Sequence, residues 1–232
     1  MALTLWIRAG SDGLHMAGDP QAQYLFMLML YKAQNDSTLK FHVKSVVESR
    51  PPDEFIRAGF RKAPALQITD DEGVAHEDDI VDYLERYAPR REYDDDAEDA
   101  VADLFRVFAC YIKEANKDER ALNTELLRLE KHLMSRGTRF LSADEPRAID
   151  CLILPRLHSL RVAGRALKGY EIPNELQHVY EYLRSGYALQ MFRTSAASDQ
   201  EIILHWDARH PSLSVVQRTN LARQQPRYSF SI

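Results

Sequence analysis

The sequence predicts an α/β domain followed by an all-helical domain. Alternating apolar runs, the mark of half-buried strands, occur only in the first third of the chain. Beyond Ala97 the apolar residues recur at helical spacing and no strand pattern returns. The chain has 232 residues and is 45% hydrophobic, enough for a sizeable core between packed layers.

"LTLWIRA" (Leu3–Ala9) alternates and reads as a strand, and Gly10 to Gly18 as a loop. In "AGDPQAQ", Asp19 suits a helix N-cap and Pro20 the first helical position, where a missing N–H is no loss. The apolar run "YLFMLML" then carries a helix to the region of Gln34. "LKFHVKSV" (Leu39–Val46) alternates again, and "PPDEFIRAGF" is a short helix opened by prolines and closed near Gly59. "APALQI" and "GVAH" flank the acidic turn "TDDEG" as a hairpin. "EDDIVDYLERY" is amphipathic, with Ile80, Tyr83, Leu84 and Tyr87 on one face. The order βαβαββα is that of a thioredoxin-like unit over residues 1–88, too one-sided to stand without a partner layer. "APRREYDDDAED" reads as a linker that opens a helix. The helical domain, residues 96–206, contains "AVADLFRVFACYIKEA", "ERALNTELLRLEKHLMS", "AIDCLILPRLHSLRVAG", "NELQHVYEYLRSG", "ALQMFRTS" and "DQEIILHWDARH", which runs on past its end. Residues 207–232 are polar, with Pro211 and Pro226, and are expected to form a partly ordered tail.

A net charge of −5 argues against nucleic acid as a partner. Cys110 and Cys151 lack the spacing of a disulfide scaffold or zinc site and read as inert core thiols, so no metal is expected. The start lacks a basic region followed by a long apolar stretch, and no segment reaches the ~18 apolar residues of a spanning helix. A soluble cytoplasmic protein is the expectation. Between Asp70 and Asp103 stand fifteen Asp/Glu and three Arg, a net −12 that reads as solvated surface. Beyond Asp207 there are four Arg and no acid, a weak match to acidic lipid.

An α/β unit of this order followed by a helical unit is the glutathione-transferase architecture. "IRAGSDG…GDPQAQYLFMLML", "DCLILPRLHSLRV" (Asp150–Val162) and "GYEIPNELQHVYEYLRSGYALQMF" resemble, more specifically, the chloride intracellular channel family, over about residues 3 to 206. The resemblance implies a soluble form with the transferase fold and a second form that enters membranes and conducts chloride or other anions. Many members carry a glutathione-linked thiol at the mouth of the first helix, and here that position is Asp19, followed by Pro20. A thiolate is stabilised there by the helix N-terminus; aspartate supplies the charge without the sulfur, which excludes a mixed disulfide. The resemblance also implies that Ala63 and a cis Pro64 face the cysteinyl part of glutathione, and that His76 and Glu77 occupy the positions of its glutamyl end. Neither residue type fits, and Glu77, Asp78 and Asp79 place three acids in one first turn. The site therefore reads as degenerate: no catalytic residue and no cofactor are expected, with His76 a surface or capping residue. Ser11 and Tyr24 are the remaining hydroxyls of an alternative, glutathione-dependent enzyme. His158 reads as a buried, hydrogen-bonded core histidine. In the transferase fold a Ser/Thr three residues before Asp150 caps the helix; here Arg147 stands there, so Pro146, Asp144 and Glu145 are expected to start it.

The resemblance makes about Pro20 to Val43 the membrane segment, yet Lys32, Asp36 and Lys40 interrupt it, at roughly 2.5 kcal/mol or more each in mid-bilayer. A helix buried between the sheet and the helical unit explains the apolar run without lipid. The reading is a non-catalytic chloride intracellular channel-like protein, redox-inactive at the usual thiol site and responsive to acid through its carboxylates, including the Asp19 cap. A further alternative is a binding module with protein partners, from the final "SFSI", spaced like a peptide that adds a strand to a groove.

Overall fold

The computed structural model describes residues 2–114 and 118–232. The first unit contains β1 (Leu3–Arg8), α1 (Pro20–Asn35), β2 (Phe41–Val46), α2 (Asp53–Arg57), β3 (Ala65–Gln67), β4 (Gly73–Val74) and α3 (Glu77–Leu84). Its sheet has the order β2-β1-β3-β4, with β1 and β2 parallel and the other pairs antiparallel. The register sets Leu5 opposite Val43 on one side and Leu66 on the other. Alternation along β1 sends Leu3, Leu5 and Ile7 to the main core with α1 and α3, and Trp6 to a smaller cluster with Phe55 and Phe60 over α2.

The helical unit comprises α4 (Asp95–Val101), α5 (Leu104–Ile112), α6 (Arg120–Arg136), α7 (Ala148–Lys168), α8 (Gln177–Ala188), α9 (Gln190–Ser195), α10 (Asp199–Asp207) and α11 (Val215–Ala222). The single helix expected from Ala97 is instead α4 and α5, broken at Ala102–Asp103 so that Val101 and Leu104 both turn into the core. The end of that period at Ala115 lies outside the described residues. One continuous core joins the units, and α1 lies inside it against α7, with Leu25, Met27, Leu28 and Met29 all at most 1% exposed. Burial on every side accounts for the all-round apolar sequence of α1. Among the described residues no helix is long and apolar enough to cross a membrane.

Lys32, which interrupts the apolar run, is fully buried. Its Nζ lies 2.9 Å from a Glu85 carboxylate oxygen and donates to the carbonyls of Tyr87 and Pro89 at 3.1 and 3.0 Å, tying α1 to the connection between the units. The acidic stretch is correspondingly less repulsive than its sequence suggests. Arg91 meets Glu98, Arg128 meets Asp99 and Arg136 meets Asp94, so partners from α6 and the connection itself neutralise part of the run.

Three further expectations are corrected. The helix at Ala148 does not depend on Asp144 or Glu145 for its cap. The Asp150 carboxylate reaches back to accept the Arg147 N–H at 2.7 Å, and also accepts from Leu141 N–H at 3.1 Å and the Tyr182 hydroxyl at 2.9 Å. Cys151 is a buried core thiol, but Cys110 is only half-buried, because it lies on the side of α5 opposite the buried Phe108 and Ile112. The partly ordered tail is a placed structure: Asp207 accepts from Ser212 and Leu213 N–H at 2.8 Å and pairs with Arg218, fastening α11, and an extended segment follows. Within it Phe230 and Ile232 pack on the core, so the "SFSI" side chains are held rather than free.

Candidate functional site

The mouth of α1 is where the family resemblance places a site. Asp19 has extended backbone and its carboxylate accepts the Gln21 N–H at 3.1 Å, while Pro20 is buried at the first helical position. Burial pushes the Asp19 carboxyl above its ordinary range, against the opposing pull of Arg209 and Arg8. His205 Nε2 lies 4.0 Å from Asp19, beyond hydrogen-bond reach, and burial, with Arg209 adding to it, pushes its pKa down to about 3. The imidazole is therefore neutral and does not offset the Asp19 charge.

Helix α10 closes this mouth from above. A Cβ on Gly18 would lie 2.3 Å from the backbone of Glu201 and Ile202, so only glycine allows the approach. Glu201 accepts the Ser11 N–H at 2.9 Å, and the Ser11 hydroxyl donates to the same carboxylate oxygen. A cavity of about 460 Å³ opens beside it, among Arg8, Ser11, His205, Arg209 and Arg218.

The other predicted positions are engaged within the chain. The Ala63–Pro64 bond is cis, and the Ala63 N–H donates to Glu48 at 3.0 Å. Glu77 accepts from the Gln21 side-chain amide, whose oxygen receives Arg156 Nη2 at 3.2 Å. Burial raises the Glu77 carboxyl and the Arg156 charge opposes the rise. Gln21 thereby links the mouth of α1 to the first turn of α3. His76 occupies the N-cap position of α3, exposed and with no capping bond from its side chain. Of the alternative hydroxyls, Ser11 is committed to Glu201, and burial raises Tyr24 far above a useful range. His158 is fully buried, its Nδ1 is 2.9 Å from the Tyr187 hydroxyl, and burial pushes its pKa down to about 3. Among the described residues no group of three or more His, Cys, Asp and Glu is placed to hold a metal ion.

Sequence reasoning missed Glu48, Arg156, Glu201 and His205. Glu201 stands 190 residues from Ser11, and only the glycines at 10 and 18 hint that something packs there.

No family model matches the chain. It is 47% identical over 234 residues to the chloride intracellular channel exl-1 of Caenorhabditis elegans, covering 99% of this chain and 98% of that one. Its fold is similar to the crystal structure of the CLIC homologue EXC-4 from C. elegans, with a TM-score of 0.86 and 22% identity over 100% of this chain and 93% of the other. It is also similar to that of Chlamydomonas reinhardtii dehydroascorbate reductase, with a TM-score of 0.74 and 18% identity over 90% and 99% of the two chains. These two show the shared glutathione-transferase fold, a thioredoxin-like sheet with its helices followed by an all-helical domain. Identity approaching one half along nearly the full length of both chains shows more: this chain belongs to the chloride intracellular channel family.

Proposed function

We propose that this chloride intracellular channel homologue performs no thiol chemistry and does not use glutathione. The observation that carries the reading is the engagement of the α1 mouth by the chain's own groups. Asp19 caps the helix where the resemblance places a thiol, and Glu48 takes the Ala63 N–H. Glu77, in the first turn of α3, holds Gln21 of α1, and a glutathione carboxylate arriving there would meet like charge from Glu77, Asp78 and Asp79. Calorimetric titration with glutathione is expected to give no binding heat, and turnover of a small disulfide to stay at background. Turnover above background that is lost in Asp19→Ala would overturn the reading. Asp19→Cys is expected to recover little activity, since the other positions stay engaged.

The same reading extends to membranes. No helix among the described residues is long and apolar enough to cross a membrane, and on this reading anion conductance involves rearrangement around α1, whereas association with anionic lipid can begin at the surface. Position 19 offers oxidants no sulfur, and the acid response rests on His158 and His205, each enclosed in its neutral form. Flotation with anionic vesicles, and chloride efflux from them, are expected to rise with acid and to ignore peroxide. Binding that is flat in pH and switched on by peroxide would contradict this and point to the half-buried Cys110.

A further inference from the structure

The last part of the chain is held as a ligand is held. No residue from 208 to 232 is buried, and α11 contributes no buried side chain. Beneath the extended segment, however, lies a built groove. Asp199 and Gln200 at the start of α10 are 8% and 6% exposed, and His158, Tyr187 and Phe192 at most 1%.

The contacts follow the main chain of the segment. The Asp199 N–H donates to the Arg227 carbonyl at 2.8 Å, and the Arg227 N–H donates to Gln200 Oε1 at 3.0 Å. The Gln200 amide donates to the Gln225 carbonyl, and Arg161 to the Ser229 carbonyl. Two side chains add identity. Ser229 donates its N–H to Asp199 Oδ1 at 3.1 Å and its hydroxyl to Oδ2 at 2.5 Å. The Phe230 ring sits 5.7 Å from that of Tyr187 and 5.8 Å from those of Phe192 and His158. Polar hooks, an aromatic anchor at Phe230 and a partly buried Ile232, with no fully buried residue, are the features of a segment that opens without global unfolding.

We infer that the groove at the α10 N-terminus is a peptide-binding site that the chain's own segment 225–232 keeps occupied, and that its partner is an extended segment of another protein carrying serine or threonine followed by phenylalanine. The paired carboxylate oxygens of Asp199 select a hydroxyl that donates and reject an acidic or phosphorylated residue at that position. The groove's main-chain bonds accept any extended backbone, as in other modes of peptide capture. A second copy is the less suitable occupant. The Arg218–Asp207 pair fastens α11, which leaves residues 223–226 as the spacer, a reach of about 14 Å.

The test uses the full chain. Ser229→Pro with Phe230→Ala removes the amide donor and the anchor from the resident segment. The probe is a labelled synthetic peptide of residues 225–232, followed by fluorescence anisotropy. Saturable binding to the double variant is expected. Wild type is expected to bind about tenfold more weakly, as for a groove open a tenth of the time. Peptides with phosphoserine for the Ser229 equivalent, or alanine for the Phe230 equivalent, are expected not to bind. Failure of a folded double variant to bind, equal binding by wild type, or binding of the phosphopeptide would overturn the proposal. Dimers of the variant or of wild type formed by exchange of the segment would also overturn it, by making a second copy the occupant. Hydrogen exchange on wild type gives a reading independent of any variant. The Ser229 and Asp199 amides are expected to exchange at least about a hundredfold faster than core amides of α7. Equal protection would sink the idea that the segment opens.

Discussion

Asp19 shows how much a single carboxylate carries once its surroundings are known. As a cap it is worth what caps are worth, and Asp19→Ala is expected to lower stability by about 0.5–2 kcal/mol in urea unfolding. Its charge works the other way. Burial raises its pKa in the folded state, so the fold keeps the proton to higher pH than the unfolded chain. The stabilising contribution of this group is thus present in acid and lost as pH rises from the unfolded value through the raised one. Asp19→Asn keeps an acceptor and removes the charge. It is expected to equal or exceed wild-type stability at about pH 7 and to lose that advantage at about pH 4. A loss at pH 7 as large as that of Asp19→Ala would show that the charge itself is needed, against Arg8 and Arg209. Protonation of the Asp19 cap therefore does not loosen α1, and an acid response through this carboxylate is not expected. The cap was legible in "AGDP"; its burial was not, because the groups that bury it come from α10.

At the scale of elements, α7 is organised by Asp150. Three donors converge on one carboxylate at the start of the helix, from Arg147, from Leu141 and from Tyr182 on α8. Burial nevertheless pushes its pKa up to about 6, so its contribution falls as pH rises from the usual carboxylate value to about 6. Asp150→Ala strands all three donors and is expected to cost about 3 kcal/mol or more, measured by urea unfolding. A cost below about 1 kcal/mol would mean that water or a shift of α8 satisfies them. The motif around Asp150 announced a helix start, but its acceptor role emerges only with the Phe140–Leu141 turn and α8 folded against it. The segment after α10 makes the complementary case. Its polar sequence correctly signals that none of its residues is fully buried, and composition does not reveal the hydrogen bonds and the packing of Phe230 and Ile232 that hold it in place.

For the whole molecule, the joint between the units and the buried histidines set the response to conditions. Lys32→Ala removes the cation enclosed with Glu85 and two carbonyls of the connection. The expected loss is about 2–3 kcal/mol, less than for a fully enclosed pair, because Glu85 keeps 30% exposure and rehydrates. Limited proteolysis near residues 88–94 is expected to accelerate in parallel; an unchanged cleavage rate would separate Lys32 from the joint. His158 and His205, held neutral by burial with pKa values of about 3, bind protons only on unfolding. Their contribution is full above the unfolded value and is lost as pH falls from about 6.5 toward 3, at up to about 1.4 kcal/mol per pH unit for each histidine. His158→Phe is expected to remove about half of that slope. An unaltered slope would assign the acid response elsewhere.

The sequence alone determined the order of elements, the two-unit architecture, the helix start at Asp19–Pro20 and the family, because each is written in local chemistry: alternation, helical spacing, caps and a contiguous motif. It also determined that position 19 has no sulfur. Tertiary structure decided the rest. Glu201 on Ser11, Glu48 on Ala63, Arg156 on Gln21, the enclosure of Lys32 and the seat of Phe230 are meetings of residues far apart in the chain. No local pattern encodes such a meeting, since long-range packing depends on how whole faces of helix and sheet fit together, and only that fit sets which polar groups lose water and which partners replace it.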